Sequence, residues 1–169
     1  GAGAMGCLYA QALQRSGCAT TLVMRRGTKA RSVSVIVEED GRRSEERLPV
    51  ITPESREPVT HLLVTTKAYD VREAVAGVAH LLDKQAVVLL LVNGLGLTEQ
   101  LLEDWPALDV YCGTTTEGAY NLAAHHICHA GRGETRIGRG GQAAAPGWFT
   151  HWARALDSCI WATQIADAL

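Results

Sequence analysis

The first six residues, Gly1-Ala2-Gly3-Ala4-Met5-Gly6, carry the spacing G-x-G-x-x-G at the head of an apolar helical pattern. Glycine at each of these places has a physical use. Gly1 permits a tight turn, Gly3 lets the backbone approach a diphosphate, and Gly6 lets helix and strand pack closely. The helix that follows presents unpaired N–H groups and a favourable dipole to phosphate. A glycine-rich turn that binds nothing has the same residues, so the motif needs company before it means a ligand.

The company lies further along the chain. A fingerprint of this kind expects a ribose-reading residue about 20 positions on, at the end of the second strand. That place holds Arg25 and Arg26, with no Asp or Glu. A guanidinium pairs bidentately with a phosphate dianion, whereas a carboxylate would repel it. The pattern therefore favours NADP over NAD, against the plain alternative of a solvated basic turn. Lys67, in Val64-Thr65-Thr66-Lys67-Ala68, falls at the carboxyl end of a predicted strand, where open α/β sheets bind ligands. Asn93, in Leu91-Val92-Asn93-Gly94-Leu95-Gly96, ends another. Its amide offers a donor and an acceptor together, which suits a ribose, a carboxamide or a substrate carbonyl, although Asn-Gly is also a common turn. Gly113-Thr114-Thr115-Thr116-Glu117-Gly118-Ala119 follows a third strand with small and hydroxylated residues. His125 and His129 would share a face if their segment were one strand, but no second ligand cluster accompanies them, so no metal site is expected.

Positioning these residues requires alternating strands and helices. The predicted order begins with a helix over Ala4–Ser16 stopped by Gly17, a strand over Thr20–Met24, and a strand over Ser32–Val37. Glu39-Asp40-Gly41 then reads as a hairpin turn, with Arg47–Ile51 returning. A strand over His61–Thr65 leads to Asp70-Val71-Arg72-Glu73, a capping box opening a helix to Leu82. Ala86–Val92 is a continuous apolar run, as expected of a strand covered on both faces. A helix over Thr98–Asp104 and a strand over Val110–Cys112 follow. Ile127–Ala130 and Thr135–Gly138 are expected to pair around Gly131-Arg132-Gly133, before a loop over Gly140–Gly147. A helix over Trp148–Leu156, a strand over Cys159–Thr163 and the start of a helix near Leu169 complete the reading.

Composition bounds the function. A 169-residue chain with 47% hydrophobic and 20% charged residues suits one globular domain. A net charge of −2 gives no electrostatic basis for nucleic acid or an anionic membrane, and 5% aromatic content disfavours base-stacking platforms. The run Ala86–Val92 is too short to span a bilayer. The five cysteines are scattered, with no C-x-x-C pair, which suits reduced thiols in the cytoplasm.

Taken in order and spacing, these segments resemble the ketopantoate reductase family: Gly-Ala-Gly-Ala-Met-Gly, Arg25, Val64 to Ala68, Val92 to Gly96, Gly113 to Thr116, and His129 to Gly138. The resemblance covers nearly the whole chain. It implies a Rossmann-type, doubly wound, mostly parallel sheet with its first strand missing and short antiparallel strands near the C-terminal end. It implies a cytoplasmic enzyme reducing 2-dehydropantoate, a small 2-oxo acid, to pantoate with NADP(H). Gly1, Ala2, Gly3, Ala4, Met5 and Gly6 would hold the diphosphate, Arg25 the 2′-phosphate, and Lys67 and Ala119 further parts of the cofactor. Asn93 would stand at the nicotinamide and substrate side. The family's helical C-terminal domain, with its general-acid lysine and an expected homodimer contact, would lie outside residues 1–169. The chain on its own is therefore expected to be inactive, and poorly folded unless the first strand is supplied. Other readings are a dehydrogenase for another 2-oxo or hydroxy acid, a non-catalytic NADP-binding domain, and a degenerate relative that binds nothing.

Overall fold

The computed structural model describes residues 1–94, 96–140, 144–156 and 158–163. The predicted helix near Leu169, and Leu95 within the Asn93–Gly96 turn, lie outside them, as does part of the Gly140–Gly147 loop. Helix α1 (Ala4–Arg15) comes first, then β1 (Leu22–Val23), β2 (Ser32–Glu39), β3 (Arg42–Ile51) and β4 (Val59–Val64). Helix α2 (Val71–Ala76), β5 (Leu82–Leu91), α3 (Leu97–Asp104) and β6 (Asp109–Thr115) form the middle. Strands β7 (Gly118–Ala123), β8 (His126–Gly131) and β9 (Thr135–Gly138), helix α4 (Phe149–Ala155) and β10 (Cys159–Ala162) follow.

Among the described residues the strands make two mixed five-stranded sheets, ordered β1-β3-β2-β8-β7 and β10-β9-β6-β5-β4. In the second, β4, β5 and β6 run parallel, and β9 returns antiparallel against β6. Helices cover both of its faces, as a doubly wound α/β architecture requires. The buried run of β5 shows how. Val88 and Leu90 face Val71 and Val75 of α2 and Leu101 of α3. Val87, Leu89 and Leu91 face Tyr9 and Leu13 of α1 and Phe149 and Trp152 of α4. A period of two thus places alternate residues of one apolar strand in two different layers.

Helix α1 also packs on the first sheet. Cys7 and Ala10 join Val35, Val37, Leu48 and Ile127 in a third apolar cluster. Gln11 is buried there but satisfied: its Nε2 donates to the Val35 carbonyl at 2.9 Å, and Ser44 Oγ donates to its Oε1 at 2.9 Å. Gly17, at φ +91°, ends the helix in the left-handed conformation that glycine adopts without strain. The β2–β3 hairpin turns through Asp40 and Gly41, both with positive φ (49° and 73°), as the twist of a tight hairpin favours.

Three expectations differ from the structure. The helix predicted to reach Leu82 is broken: a 3-10 turn over Ala68–Asp70 precedes α2, which stops at Gly77. Asp70 makes no side-chain cap, because its backbone is already helical rather than extended. Segments β8 and β9 do not pair with each other but lie in different sheets. Gly133 is pressed against Thr116–Glu117, where a Cβ would come within 2.3 Å of the Thr116 backbone. The chain crosses between the two sheets there. Strand β8 pairs instead with β2 and with β7, a strand that the half-exposed sequence Gly118–Ala123 conceals. Among the described residues no helix is long and apolar enough to cross a membrane.

Leu89 is 1% exposed at the centre of the α1–α4 layer. Leu89→Ala is expected to lower unfolding stability by about 2–5 kcal/mol. Leu122→Ala, on exposed β7, should change it by less than about 0.5 kcal/mol. Urea denaturation of both variants measures the contrast.

Candidate functional site

The glycine turn is fixed by contact rather than by flexibility. A Cβ on Gly6 would lie 1.8 Å from the Gly1 carbonyl oxygen and 2.8 Å from Thr65 Oγ1. Only a hydrogen fits, so α1 begins tight against the residues that end β4. Thr65 Oγ1 donates to the Gly1 carbonyl at 3.4 Å, and Cys7 N–H donates to the Gly3 carbonyl at 2.9 Å. Gly3, the N-cap of α1, has nothing within 4 Å of its Cβ position. The first-turn N–H groups, which have no partner within the helix, head this open side.

The strands bring the other candidates to the same place. Lys67 follows β4, Asn93 follows β5, and Ala119 follows the turn after β6. Parallel strands put their carboxyl ends at one edge of the sheet. Gly1, Ala2, Gly3, Ala4, Met5, Gly6, Arg25, Lys67, Asn93 and Ala119 accordingly all line one cavity of about 2490 Å³. Residues drawn from five separate segments of sequence share a single cleft.

Its charges are sorted by pairing. Arg26 Nη1 lies 3.3 Å from Glu54 Oε1. Arg25 has no ion pair among the described residues; its carbonyl holds the turn by accepting from Thr28 N–H at 3.2 Å and Thr28 Oγ1 at 2.8 Å. Lys67 is exposed and has no ion pair among the described residues. The amide of Asn93 is exposed too. On the far wall Glu117 is engaged by His129, whose Nε2 lies 2.6 Å from Glu117 Oε2 and whose Nδ1 lies 2.8 Å from Glu39 Oε1. The cleft wall thus carries Arg25 and Lys67 without ion pairs among the described residues, a Glu117 committed to His129, and further carboxylates at Glu57, Asp70 and Glu73.

Some of its residues have no signature in the sequence. Thr66 Oγ1 is buried beside the glycine turn without a hydrogen-bond partner. Thr115 Oγ1 accepts from Tyr9 hydroxyl at 2.7 Å and from Glu117 N–H at 3.1 Å, tying the cleft wall to α1. His61 and Trp148 line the cavity and touch edge to face, with ring centres 6.1 Å apart. The histidine pair weighed as metal ligands is dispersed. His125 occupies the β7–β8 turn at φ 57°, out of strand register with His129, and His126 Nε2 bonds Glu38 Oε1 at 2.7 Å. Among the described residues no group of His, Cys, Asp or Glu is arranged to hold a metal ion.

Comparison with known proteins gives a consistent result. The family model described as ketopantoate reductase PanE/ApbA matches residues 1–142. A 2-dehydropantoate 2-reductase of Halobacterium salinarum is 36% identical over 144 residues, covering 82% of this chain and 47% of the relative. One of Shigella flexneri is 35% identical over 138 residues, covering 82% and 44%. The chain spans about half the length of the curated relatives it matches. Among solved structures, the 2-dehydropantoate 2-reductase of Methylococcus capsulatus superposes with a TM-score of 0.84 at 18% identity, over 98% of this chain and 56% of that one. A D-mandelate dehydrogenase solved with NADH and anilino(oxo)acetate gives 0.83 at 23% identity, over the same shares. At such identities the structures speak for the fold.

Two outcomes test the turn. Gly6→Ala should destabilise the chain by about 1–3 kcal/mol through overpacking, whereas Gly3→Ala should stay within about 0.5 kcal/mol; denaturant midpoints separate them. Burial pushes the Cys7 thiol from its ordinary 9.0 up to about 11, and that of Cys159 up to about 12. A thiol raised on folding contributes stability that is full below pH 9 and lost as pH climbs through the folded value. Urea midpoints should therefore fall between pH 9 and 11, and less steeply in Cys7→Ala.

Proposed function

Because the chain belongs to the ketopantoate reductase PanE/ApbA family, we propose that it is the NADP(H)-binding portion of an oxidoreductase that reduces 2-dehydropantoate to (R)-pantoate. The observation that carries this reading is the shared cleft. The glycine turn, Arg25, which has no ion pair among the described residues, Lys67 and Asn93 all line one cavity.

Each group has a defined task. The first-turn N–H groups of α1 and the bare backbone at Gly3 bind a diphosphate, which no Cβ obstructs. Arg25 takes the 2′-phosphate with its planar fork, while Arg26 is held by Glu54. Lys67 adds a second cation beside the ribose and adenosine phosphate. Asn93 orients the nicotinamide and substrate end through its paired donor and acceptor, and the small Ala119 leaves room along the opposite wall. The bound dinucleotide supplies the hydride. The proton for the new alkoxide comes from a general acid of the enzyme's helical domain, and the helical domain also carries the homodimer contact. On this reading residues 1–169 bind the dinucleotide without turnover, and the complete enzyme is cytoplasmic and serves pantothenate synthesis. A second reading, reduction of a different 2-oxo acid with NAD(H), draws on the likeness to the mandelate dehydrogenase solved with NADH.

Titration of the chain with NADPH and NADH distinguishes the two. NADPH is expected to bind more tightly by at least about tenfold, equivalent to about 1.4 kcal/mol. Arg25→Asp should abolish the preference, and Arg26→Asp should largely retain it. Tighter binding of NADH would favour the second reading, and an NADPH preference indifferent to Arg25 would remove Arg25 from the 2′-phosphate site.

A further inference from the structure

The cleft wall that carries Ala119 also carries a carboxylate fixed from two directions. Glu117 stands in the turn between β6 and β7 and lines the cavity. Its backbone is pinned. Glu117 N–H donates to Thr115 Oγ1 at 3.1 Å. Next to it, Thr116 N–H donates to the Glu134 carbonyl at 3.0 Å, and Glu134 N–H donates to Thr116 Oγ1 at 2.9 Å. A Cβ on Gly133 would lie 2.5 Å from the Glu117 nitrogen, so the segment before β9 is seated directly against this turn.

The side chain is held separately. Alternation along β8 puts His129 on the face of buried Ile127, and alternation along β2 puts Glu39 on the face of buried Val37. A histidine and a glutamate thus stand on the inner face of a sheet, at the end of an apolar layer, where hydrocarbon would cost less. Both ring nitrogens of His129 are engaged: Nε2 lies 2.6 Å from Glu117 Oε2, and Nδ1 lies 2.8 Å from Glu39 Oε1. Arg132 Nε and Nη2 donate in turn to the two oxygens of Glu39, each at 2.9 Å. The imidazole cannot turn without breaking one of these contacts. The side chain of Arg132 is 64% exposed, and those of His129 and Glu117 are 11% and 15% exposed. The chain of contacts therefore runs inward from the surface and ends at the cleft wall. Glu117 Oε1, the oxygen that His129 does not take, has no hydrogen bond among the described residues.

Strand register gives that oxygen its place along the cleft. Leu91 pairs with Gly113 in the parallel β5–β6 ladder. Continuing the register puts Asn93 level with Thr115, and Glu117 follows at that end. A fixed carboxylate repels phosphate, and it accepts readily from a hydroxyl or an amide N–H. It suits the uncharged end of a ligand whose phosphates lie toward the glycine turn, Arg25 and Lys67. We propose that Glu117 orients the bound dinucleotide, its Oε1 accepting a hydrogen bond from the nicotinamide riboside, and that His129 is the positioning residue that aims it. This rests on the dinucleotide reading of the cleft.

The test is calorimetric titration of the 169-residue chain and of its Glu117→Ala, His129→Gln and doubly substituted forms. The ligands are NADPH, adenosine 2′,5′-bisphosphate, which lacks the nicotinamide riboside, and the reduced 3-acetylpyridine analogue of NADPH, whose acetyl group donates no hydrogen bond. Glu117→Ala is expected to weaken NADPH by at least about tenfold, as loss of a hydrogen bond to a charged group does, and to leave the adenosine bisphosphate within about twofold. His129→Gln should weaken NADPH with the same selectivity, which a general loss of structure would not show. The double variant should bind no more weakly than Glu117→Ala, because one residue acts through the other. A loss that the acetyl analogue does not share assigns the donor to the carboxamide, and a shared loss assigns it to a ribose hydroxyl. Unchanged or tighter NADPH binding in Glu117→Ala overturns the proposal, as does an equal loss for NADPH and the adenosine bisphosphate. Additive losses in the double variant overturn the positioning role of His129. Glu117→Ala decides the orienting role even if His129→Gln does not fold. Failure of the unaltered chain to bind either NADPH or the adenosine bisphosphate would overturn the dinucleotide reading itself, and this proposal with it.

Discussion

Helix α1 is clamped between two sheets, and most of the architecture follows from that. Tyr9 and Leu13 belong to the layer over β5 and β6, while Cys7 and Ala10 belong to the layer over β2, β3 and β8. A helix buried on two sides cannot rotate to suit a ligand, so its N-terminus points where packing fixes it. Gly6 sets the depth of that packing, because any side chain there would strike the Gly1 carbonyl. The polar contacts within the clamp repeat the constraint. Gln11 is satisfied by Val35 and Ser44 on one side, and the Tyr9 hydroxyl by Thr115 and Thr135 on the other. Burying those groups unpaired would be costly, so each fixes register as well as position.

Once α1 is fixed, the cleft is a consequence of strand polarity. Strands β4, β5 and β6 are parallel, so their carboxyl ends, with Lys67, Asn93 and Thr115, emerge at one edge. The same edge receives the glycine turn, because Gly6 and Thr65 are in contact distance across it. No side chain needs to reach far. Placing the chemistry on strand ends keeps it anchored to buried residues such as Val64 and Leu91 while the functional groups themselves remain open.

How much of this was legible in the sequence depended on whether the deciding interaction was local. The helix of Ala4 onwards, the apolar strand into Leu91 and the Asp40-Gly41 hairpin announce themselves through periodicity or turn chemistry, which act over a few residues. The pairing of β8 with β7, and of β9 with β6, does not. It joins segments whose residues give no local sign of it, and the close approach of Gly133 to Thr116 appears only once the chain is folded. The broken helix after Asp70 was concealed for a related reason: a capping box is a pattern of side chains, whereas Asp70 has already entered a helical backbone conformation. At the site, residue types and strand-end positions were readable, but Thr66, His61 and Trp148 were not, since their roles in the cleft arise only from tertiary packing.

Arg25 and Arg26 show how a distant residue can distinguish two adjacent side chains of the same type. Both arginines stand in one exposed turn with equal claims on a phosphate. Glu54, in the segment after β3, takes Arg26 at 3.3 Å. At the opposite wall His129 draws Glu117 toward β8 and Glu39, and Arg132 donates twice to Glu39 at 2.9 Å. The chain as a whole carries a net charge of −2; around the cleft Glu117 is turned to His129, while Arg25 and Lys67 have no ion pair among the described residues. An anion approaching the mouth meets the local field of those groups rather than the net charge, because exposed charges beyond about 10 Å are largely screened at moderate salt. A net negative charge therefore does not by itself exclude a local positive field beside Arg25 and Lys67.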